Sequence, residues 1–421
     1  MNAQAPYLIA PPLPEQPQWL DKRRQSAFLR FLEDGLPTPR NEEWKYTSLA
    51  HLETAPLHPP AAGGAEAPAA TAYPGQVLAF GDGRLVARQA RPPAKFAAGL
   101  AEAAQSATVR RHLGQVTGST AALAWLNLSM WRDGAYVHVP ASISASAPLF
   151  LSFATRQADT ALHPRNLVVL EAGARLVLVE HYHSELEARY WQNAVSEIIL
   201  GEGAHLTHLK ITEEGQAATH TGLTAVIQER DSRYQSLSVS SGGRLARHDL
   251  TIQLRGAGAS ARLDGLFIAA GRSHVDHHLR IEHLAPHTAS RATYRGIAAG
   301  RGQGVFDGHI VVTSAGQHAD AALSSRNLLL SPYAEIDAKP QLEIYADQVK
   351  CGHGVTVGQL DEAQLFYLES RGIAADSAYT LLLRAFADES LGLLKETGLA
   401  AWLEPRLHAG LPRHTPKGSA S

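Results

Sequence analysis

Cys351 is the only cysteine in a chain of 421 residues, and it lies two residues before His353 in VKCGHGVTVGQLDE, Val349 to Glu362. In an extended strand, residues i and i+2 face the same side, which puts thiol and imidazole roughly 6–7 Å apart along one face. Gly352 between them and Gly354 after them carry no side chains, so another backbone or a bulky inorganic group has room to approach. Thiolate and imidazole are both suitable ligands for iron or an iron–sulfur cluster. The residues alone favour a plainer reading: a buried structural cysteine beside a histidine that bonds a carbonyl.

The chain has 21 histidines, scattered rather than gathered in one tract. The densest group is His274, His277, His278, His283 and His287. On a strand, His277 and His283 share parity with Leu279 and Ile281, whereas His278 shares it with Arg280 and Glu282, so the group diverges across two faces. His181 and His183 form an H-x-H pair able to chelate a metal from one strand face. Structural or solvated roles are the simpler expectation for all of them. There is no G-x-x-x-x-G-K-[ST], so no Walker A phosphate cradle, and neither H-E-x-x-H nor G-x-S-x-G occurs.

Whole-chain composition narrows the classes. Hydrophobic residues make up 45% and charged residues 19%, values of a globular protein with a sizeable core. Lys plus Arg number 38 and Asp plus Glu 40, so no net field draws the chain to nucleic acid or an anionic membrane. One cysteine excludes an intramolecular disulfide framework. The opening MNAQAPYLIAPPLPEQPQWLDKRR lacks a charged region followed by an apolar one, and no apolar run approaches the ~20 residues of a membrane span. A soluble, cytoplasmic protein is the expectation.

Three zones must position these residues. Residues 1–133 read as a helical region: WLDKRRQSAFLRFLEDGLP has helical apolar spacing ended by Gly35 and Pro37, further helix is expected around 95–116, and AALAWLNLSMW (121–131) is helical or a turn. Within it, 54–74 is an Ala/Pro/Gly-rich linker or surface loop. Residues 134–358 change grammar to short Val/Ile/Leu/Thr-rich runs separated by glycine turns. In DLTIQLRG, Leu250, Ile252 and Leu254 alternate with Thr251, Gln253 and Arg255, the period of a strand. The turns EAGARL, GEGAHL, SSGGRL and AGASARL each place glycine before a small or polar residue and then a leucine that starts a strand, a degenerate repeat that favours a β-helix over a sandwich or barrel. Residues 359–421 turn helical again, with a start at Asp361, a stop at Gly372, a second helix capped by Asp376 or Ser377, and a disordered tail.

KPQLEIYADQVKCGHGVTVGQLDEAQLFYLESRGI (339–373) resembles the signature of the SufB/SufD family, scaffold proteins of the sulfur-mobilisation route to iron–sulfur clusters. HVDHHLRIEHLAPHTASRATYRGI (274–297) and the stretch 307–344 resemble the same family's central region, and RNEEWKYTSL (40–49) resembles its SufD branch. SufB-like chains usually carry more cysteines, which also favours the SufD branch. The resemblance implies a mainly β protein, a right-handed parallel β-helix core flanked by N-terminal and C-terminal α-helical parts. It implies a non-enzymatic scaffold subunit that pairs through the β-helix with a SufB-like paralogue and holds a SufC-like ABC-type ATPase through C-terminal elements. His353 falls on the family position proposed to ligate a transient Fe–S cluster shared with the partner. Cys351 stands as a ligand, a sulfur acceptor or packing at the subunit interface. Such clusters commonly take about four protein ligands, mostly cysteines, so a chain with one thiol either holds none or shares one.

A homodimer in the absence of the partner is a further expectation, since unpaired strand edges seek pairing. Two other classes compete. A β-helix carbohydrate-active enzyme needs carboxylates clustered on one face, whereas those here are dispersed. A cupin-like metal protein needs several ligands converging inside a barrel, and no local motif supplies such a set.

Overall fold

The computed structural model describes residues 16–54, 56–61, 73–89, 96–115, 121–184 and 187–414. Most of the expected linker and the end of the expected disordered tail lie outside the described residues. From Leu149 onward the chain lays strands alternately into two sheets. The first sheet runs through Arg175–His183, His205–Glu214, Arg233–Gly242, Ser260–Ala269, Ala289–Ala298, Asp320–Leu329 and Lys350–Gly358. The second runs through Trp191–Leu200, Thr219–Gln228, Leu245–Leu254, His274–His283, Gln303–Val312 and Glu335–Ile344. Every pair in these two series is parallel and in unbroken register. Arg233 pairs with Ser260, Ser260 with Ala289 and Ala289 with Asp320, so one turn of this flattened solenoid takes about 30 residues. The protein is mainly β, a parallel β-solenoid flanked by helices at both ends of the chain, and the stacked rungs leave no barrel of the cupin kind.

The alternation in the sequence becomes the inside and outside of the solenoid. Leu250, Ile252 and Leu254 lie in one continuous core with Leu178, Leu206, Leu263, Leu279, Ile281 and Ile310. The glycine turns are its corners. Gly173, Gly203 and Gly258 have positive φ, and each sends its N–H to a carbonyl of the next rung (Glu202, Arg230 and Pro286). Asp231, His287 and His318 occupy the same corner with φ between 55° and 62°, a conformation that favours glycine. The leucine after the corner turns inward at Leu176, Leu206 and Leu263. At SSGGRL, on the opposite corner, Leu245 instead packs outward beneath the N-terminal segment.

Helices cover both outer faces. Val179, Leu209, Ile211, Leu237, Val239 and Leu266 of the first sheet pack against Leu383, Leu393, Leu394, Leu403 and Leu407 of the C-terminal helices. The second sheet is covered by N-terminal groups: Phe31, Trp44, Leu123 and Leu126 against Trp191 and Leu245, and Leu20 and Trp131 against Leu167 and Val169. The helix Glu362–Ser370 starts on Asp361, whose side chain accepts from Ala363 N–H, and is followed by Gly372 at φ 85°. The next helix, Ala375–Asp388, begins one residue earlier than Asp376 and has no side-chain cap.

The region read as helical before residue 134 is more mixed than its apolar spacing suggests. Gln76–Gly81 and Arg84–Gln89 form a hairpin on the outer edge of the first sheet, turned by Asp82 and Gly83, both at positive φ. Asp-Gly between apolar runs is a strong hairpin signal. In place of one helix over 95–116, the chain makes the strand Ala97–Gly99, a 3-10 turn, and the short helix Ala107–His112, because Ala97–Gly99 pairs antiparallel with Ala135–Val139 and Ser106 then caps a new start.

Burial holds several histidines neutral. His163 is pushed down to about 3, and His277 and His283 to about 4, each mainly by loss of solvent. The unfolded chain takes up these protons below about pH 6.5 while the folded chain does not, so this stability is complete above that pH and declines as pH falls toward 4. Each such histidine contributes a slope of ~1.4 kcal/mol per pH unit within that window. Urea unfolding at pH 7, 6 and 5 should therefore show a progressive loss, reduced in slope by His277→Gln; a flat profile would contradict this.

Candidate metal-ligating rim of the solenoid

Among the described residues, Lys350–Gly358 is the last strand of the first sheet and pairs only with Asp320–Leu329, and Glu335–Ile344 is last in the second. Cys351 sits beside Ala321 and His353 beside Leu323. Ala321 and Leu323 belong to the core, so Cys351, His353, Val355 and Val357 face inward on a rung that no described residue covers with a further strand. Cys351 is half-buried against that core, whereas His353 is exposed. Val357 (45% exposed) and Ile344 (41%) continue the inward-facing positions onto this open rung, and Tyr333 (73%) and Tyr345 (65%) lie exposed beside it. A Cβ built on Gly352, Gly354 or Gly358 would meet nothing within 4 Å. These glycines therefore leave space toward a missing next rung rather than fitting a tight contact within the chain.

Thiol and imidazole do not engage each other. His353 makes no hydrogen bond, ion pair or ring contact among the described residues. Burial pushes the Cys351 thiol above its ordinary value; a backbone hydrogen bond at Ala321 offsets part of this, and the Asp320 carboxylate adds to it. The thiol therefore needs a metal or a new cationic neighbour to become a thiolate at neutral pH. Among the described residues, no group of three or more His, Cys, Asp or Glu side chains is arranged to hold a metal ion. The rim offers two donors and an open side.

The other histidines are engaged elsewhere. His277 and His283 point into the core and bond Ser240, and Thr288 with Ser290, respectively. His278 points out and pairs with Asp276 at 2.9 Å, and His274 bonds Thr47, so the group diverges across two faces. The H-x-H pair stacks instead of chelating, with ring centroids 4.5 Å apart. His181 lies between Tyr73 Oη and Glu213, each at 2.9 Å, and His183 bonds Ser152 at 3.0 Å, all beneath Trp402.

One structural role was not readable from residue types. The segment containing RNEEWKYTSL lies across the outer face of the second sheet. Trp44 stacks on the Arg247 guanidinium at 3.9 Å, and Arg247 in turn bridges Asp249 and Asp276, each at 2.8 Å. Thr47 donates to Asp276, and Glu42 reaches Lys339 on the last strand of that sheet. The N-terminal segment is thereby fastened to the rung that forms the rim. Its signal was the alternation in Arg247-x-Asp249, which places opposite charges on one strand face.

Residues 153–386, more than half the chain, match the model of the SUF system FeS cluster assembly SufBD core domain. The chain belongs to the SufBD family. It is 31% identical over 409 residues to the iron-sulfur cluster assembly protein SufD of Escherichia coli, covering 92% of each chain. It is 36% identical over 297 residues to a SufBD family iron-sulfur cluster assembly protein of Synechocystis, covering 68% of this chain and 66% of that protein. Identity to SufD of Bacillus subtilis is 27% over 264 residues, covering 62% and 60%. The SufBD core match takes in the strand that carries Cys351 and His353.

Alkylation of Cys351 by iodoacetamide in the isolated chain should be slow at pH 7 and still accelerating at about pH 9, because the thiolate forms late. A rate that levels off below about pH 8 would mean the thiol is activated already.

Proposed function

We propose that this chain is a SufD-type scaffold subunit of an iron–sulfur cluster assembly complex, and that Cys351 and His353 are its share of a site completed by a SufB-like paralogue. The carrying observation is that both face inward on an uncovered terminal rung, beside unpaired strand edges and an exposed apolar rim. A paralogous solenoid end would satisfy those edges, bury the rim and bring further ligands to the open side of His353. The nascent cluster is cargo, held between the two chains and passed on. Cys351 serves as a ligand or a sulfur acceptor once the partner excludes water from the rim.

The subunit is non-catalytic, and ATP chemistry belongs to an ABC-type ATPase. Its docking surface is the pair of helices Glu362–Ser370 and Ala375–Asp388. Phe366 is 72% exposed there, and Tyr367, Leu368 and Leu382 border a shallow cavity of about 410 Å³. The opposite side of the second helix, with Tyr379, Leu383 and Ala387, is seated on the first sheet. No helix among the described residues is long and apolar enough to cross a membrane. A cytoplasmic location, no nucleic-acid partner, and a homodimer formed through the rim when the paralogue is missing complete the reading.

The test is His353→Ala in the co-expressed complex, with iron and acid-labile sulfide measured after anaerobic reconstitution. The proposal expects an intact complex with cluster content reduced severalfold, and a smaller reduction for Cys351→Ser if the thiol is an acceptor rather than a ligand. Undiminished cluster content in both variants would refute the shared site. Loss of the complex itself would make His353 a structural residue.

A further inference from the structure

On the outer face of the first sheet, reaching Asp320 one strand before the rim, a cavity of about 340 Å³ opens where this sheet meets the C-terminal helices. This is within the ~300–1,000 Å³ of small-ligand sites. Arg233, Arg262 and Arg291 line it from three successive strands. Tyr234, Leu263 and Ala292 face the core, so all three arginines face out. Arg262 and Arg291 are direct partners across their strands, and Arg233 lies one rung earlier, two residues back from the position paired with Arg262.

Like charges set side by side on neighbouring strands repel. Only one of the three is neutralised among the described residues. Arg262 is held by Asp264 at 3.0 Å, with a longer contact of 3.4 Å to Glu396 on the helix Gly392–Thr397. The guanidinium groups of Arg233 and Arg291 make no hydrogen bond or ion pair among the described residues. His205, bonded to Gln235 at 2.8 Å, completes the basic side.

We infer that this cavity is a binding site for a compact phosphoryl anion, gripped by Arg233 and Arg291, with the Glu396 carboxylate as its built-in competitor for Arg262. Guanidinium groups match phosphate oxygens in geometry and charge, and several of them around one cavity supply the forked donors such a ligand needs. Asp320 and Glu396 border the cavity, which favours a small anion seated between the guanidinium groups over an extended polyanion such as nucleic acid. The bound anion draws Arg262 from Glu396, and so loosens one tie between the solenoid and the C-terminal helices. Inorganic pyrophosphate and the phosphate tail of a nucleotide present the same chemistry.

Isothermal titration of the full chain with pyrophosphate, and separately with ATP, at low and matched chloride concentration tests this. A single saturable site is expected. It should weaken by about tenfold or more in Arg233→Ala/Arg291→Ala, whose exposed, unpaired side chains are dispensable for folding, and should tighten in Glu396→Gln. Equal affinity for both probes would assign the site to the free anion, and tighter ATP binding would assign it to a nucleotide tail. Absence of saturable binding, or a double variant that binds as tightly as the parent chain, would overturn the inference. The readout involves neither cluster nor partner, so it stands or falls apart from the scaffold reading.

Discussion

A parallel solenoid has no internal way to finish. Each strand's outward N–H and C=O groups are satisfied by the next rung, so the stack must be capped, covered or continued by another chain. The two ends of this chain differ in that respect. At the N-terminal end, each sheet finishes in a short antiparallel edge strand, Arg84–Gln89 in the first and Ala97–Gly99 in the second, where Leu85 and Ala97 pack on the core and Phe80 and Val137 are buried. At the other end, Lys350–Gly358 and Glu335–Ile344 are left as edges, with core-facing residues exposed. The cysteine and histidine that can hold metal lie on the uncapped end.

That asymmetry organises the rest. The C-terminal helices cover one sheet and the N-terminal groups the other, so both broad faces are closed while the terminal rung stays open. The fastening of Trp44 to Arg247 and of Glu42 to Lys339 links the N-terminal segment to the rungs nearest the rim. The interior is not wholly apolar. Glu180, fully buried, accepts from Tyr182 and Ser196 and lies 3.4 Å from Lys210. Against the cost of burial, Lys210 and His208 hold its carboxyl well below the usual range. Breaking such a pair from one side leaves a buried charge uncompensated, which makes the inner register hard to shift. A rigid stack of this kind suits a scaffold that must present two side chains to a partner in fixed geometry.

Much of the fold was legible because it is written locally. Alternation such as Leu250-x-Ile252-x-Leu254 names the inward face, and the recurring glycine before leucine names the corners. The shared face of Cys351 and His353 follows from strand parity alone, as does the divergence of His277 from His278. What remained hidden depends on register across about 30 residues. Nothing near Glu180 announces Lys210, and Arg233, Arg262 and Arg291 become neighbours only once the rungs are stacked. The Asp82-Gly83 hairpin was local, and its Asp-Gly turn between apolar runs carried a signal that went unread. That the terminal rung is uncovered is a property of the whole stack, with no signature in the motif itself.

The most direct test of the account is to spoil the rim without touching the ligands. Co-expressing the chain with its SufB-like paralogue, tagging only this chain and weighing the eluted assembly by native mass spectrometry compares the parent with Ile344→Asp/Val357→Asp. Both side chains are exposed in the isolated chain, so the variant should fold. The account predicts a heterodimer for the parent and a lone subunit for the variant, because two carboxylates would be buried where the cores join. A heterodimer of undiminished yield from the variant would mean that the paralogue binds elsewhere, and that Cys351 and His353 do not share a site across this rim.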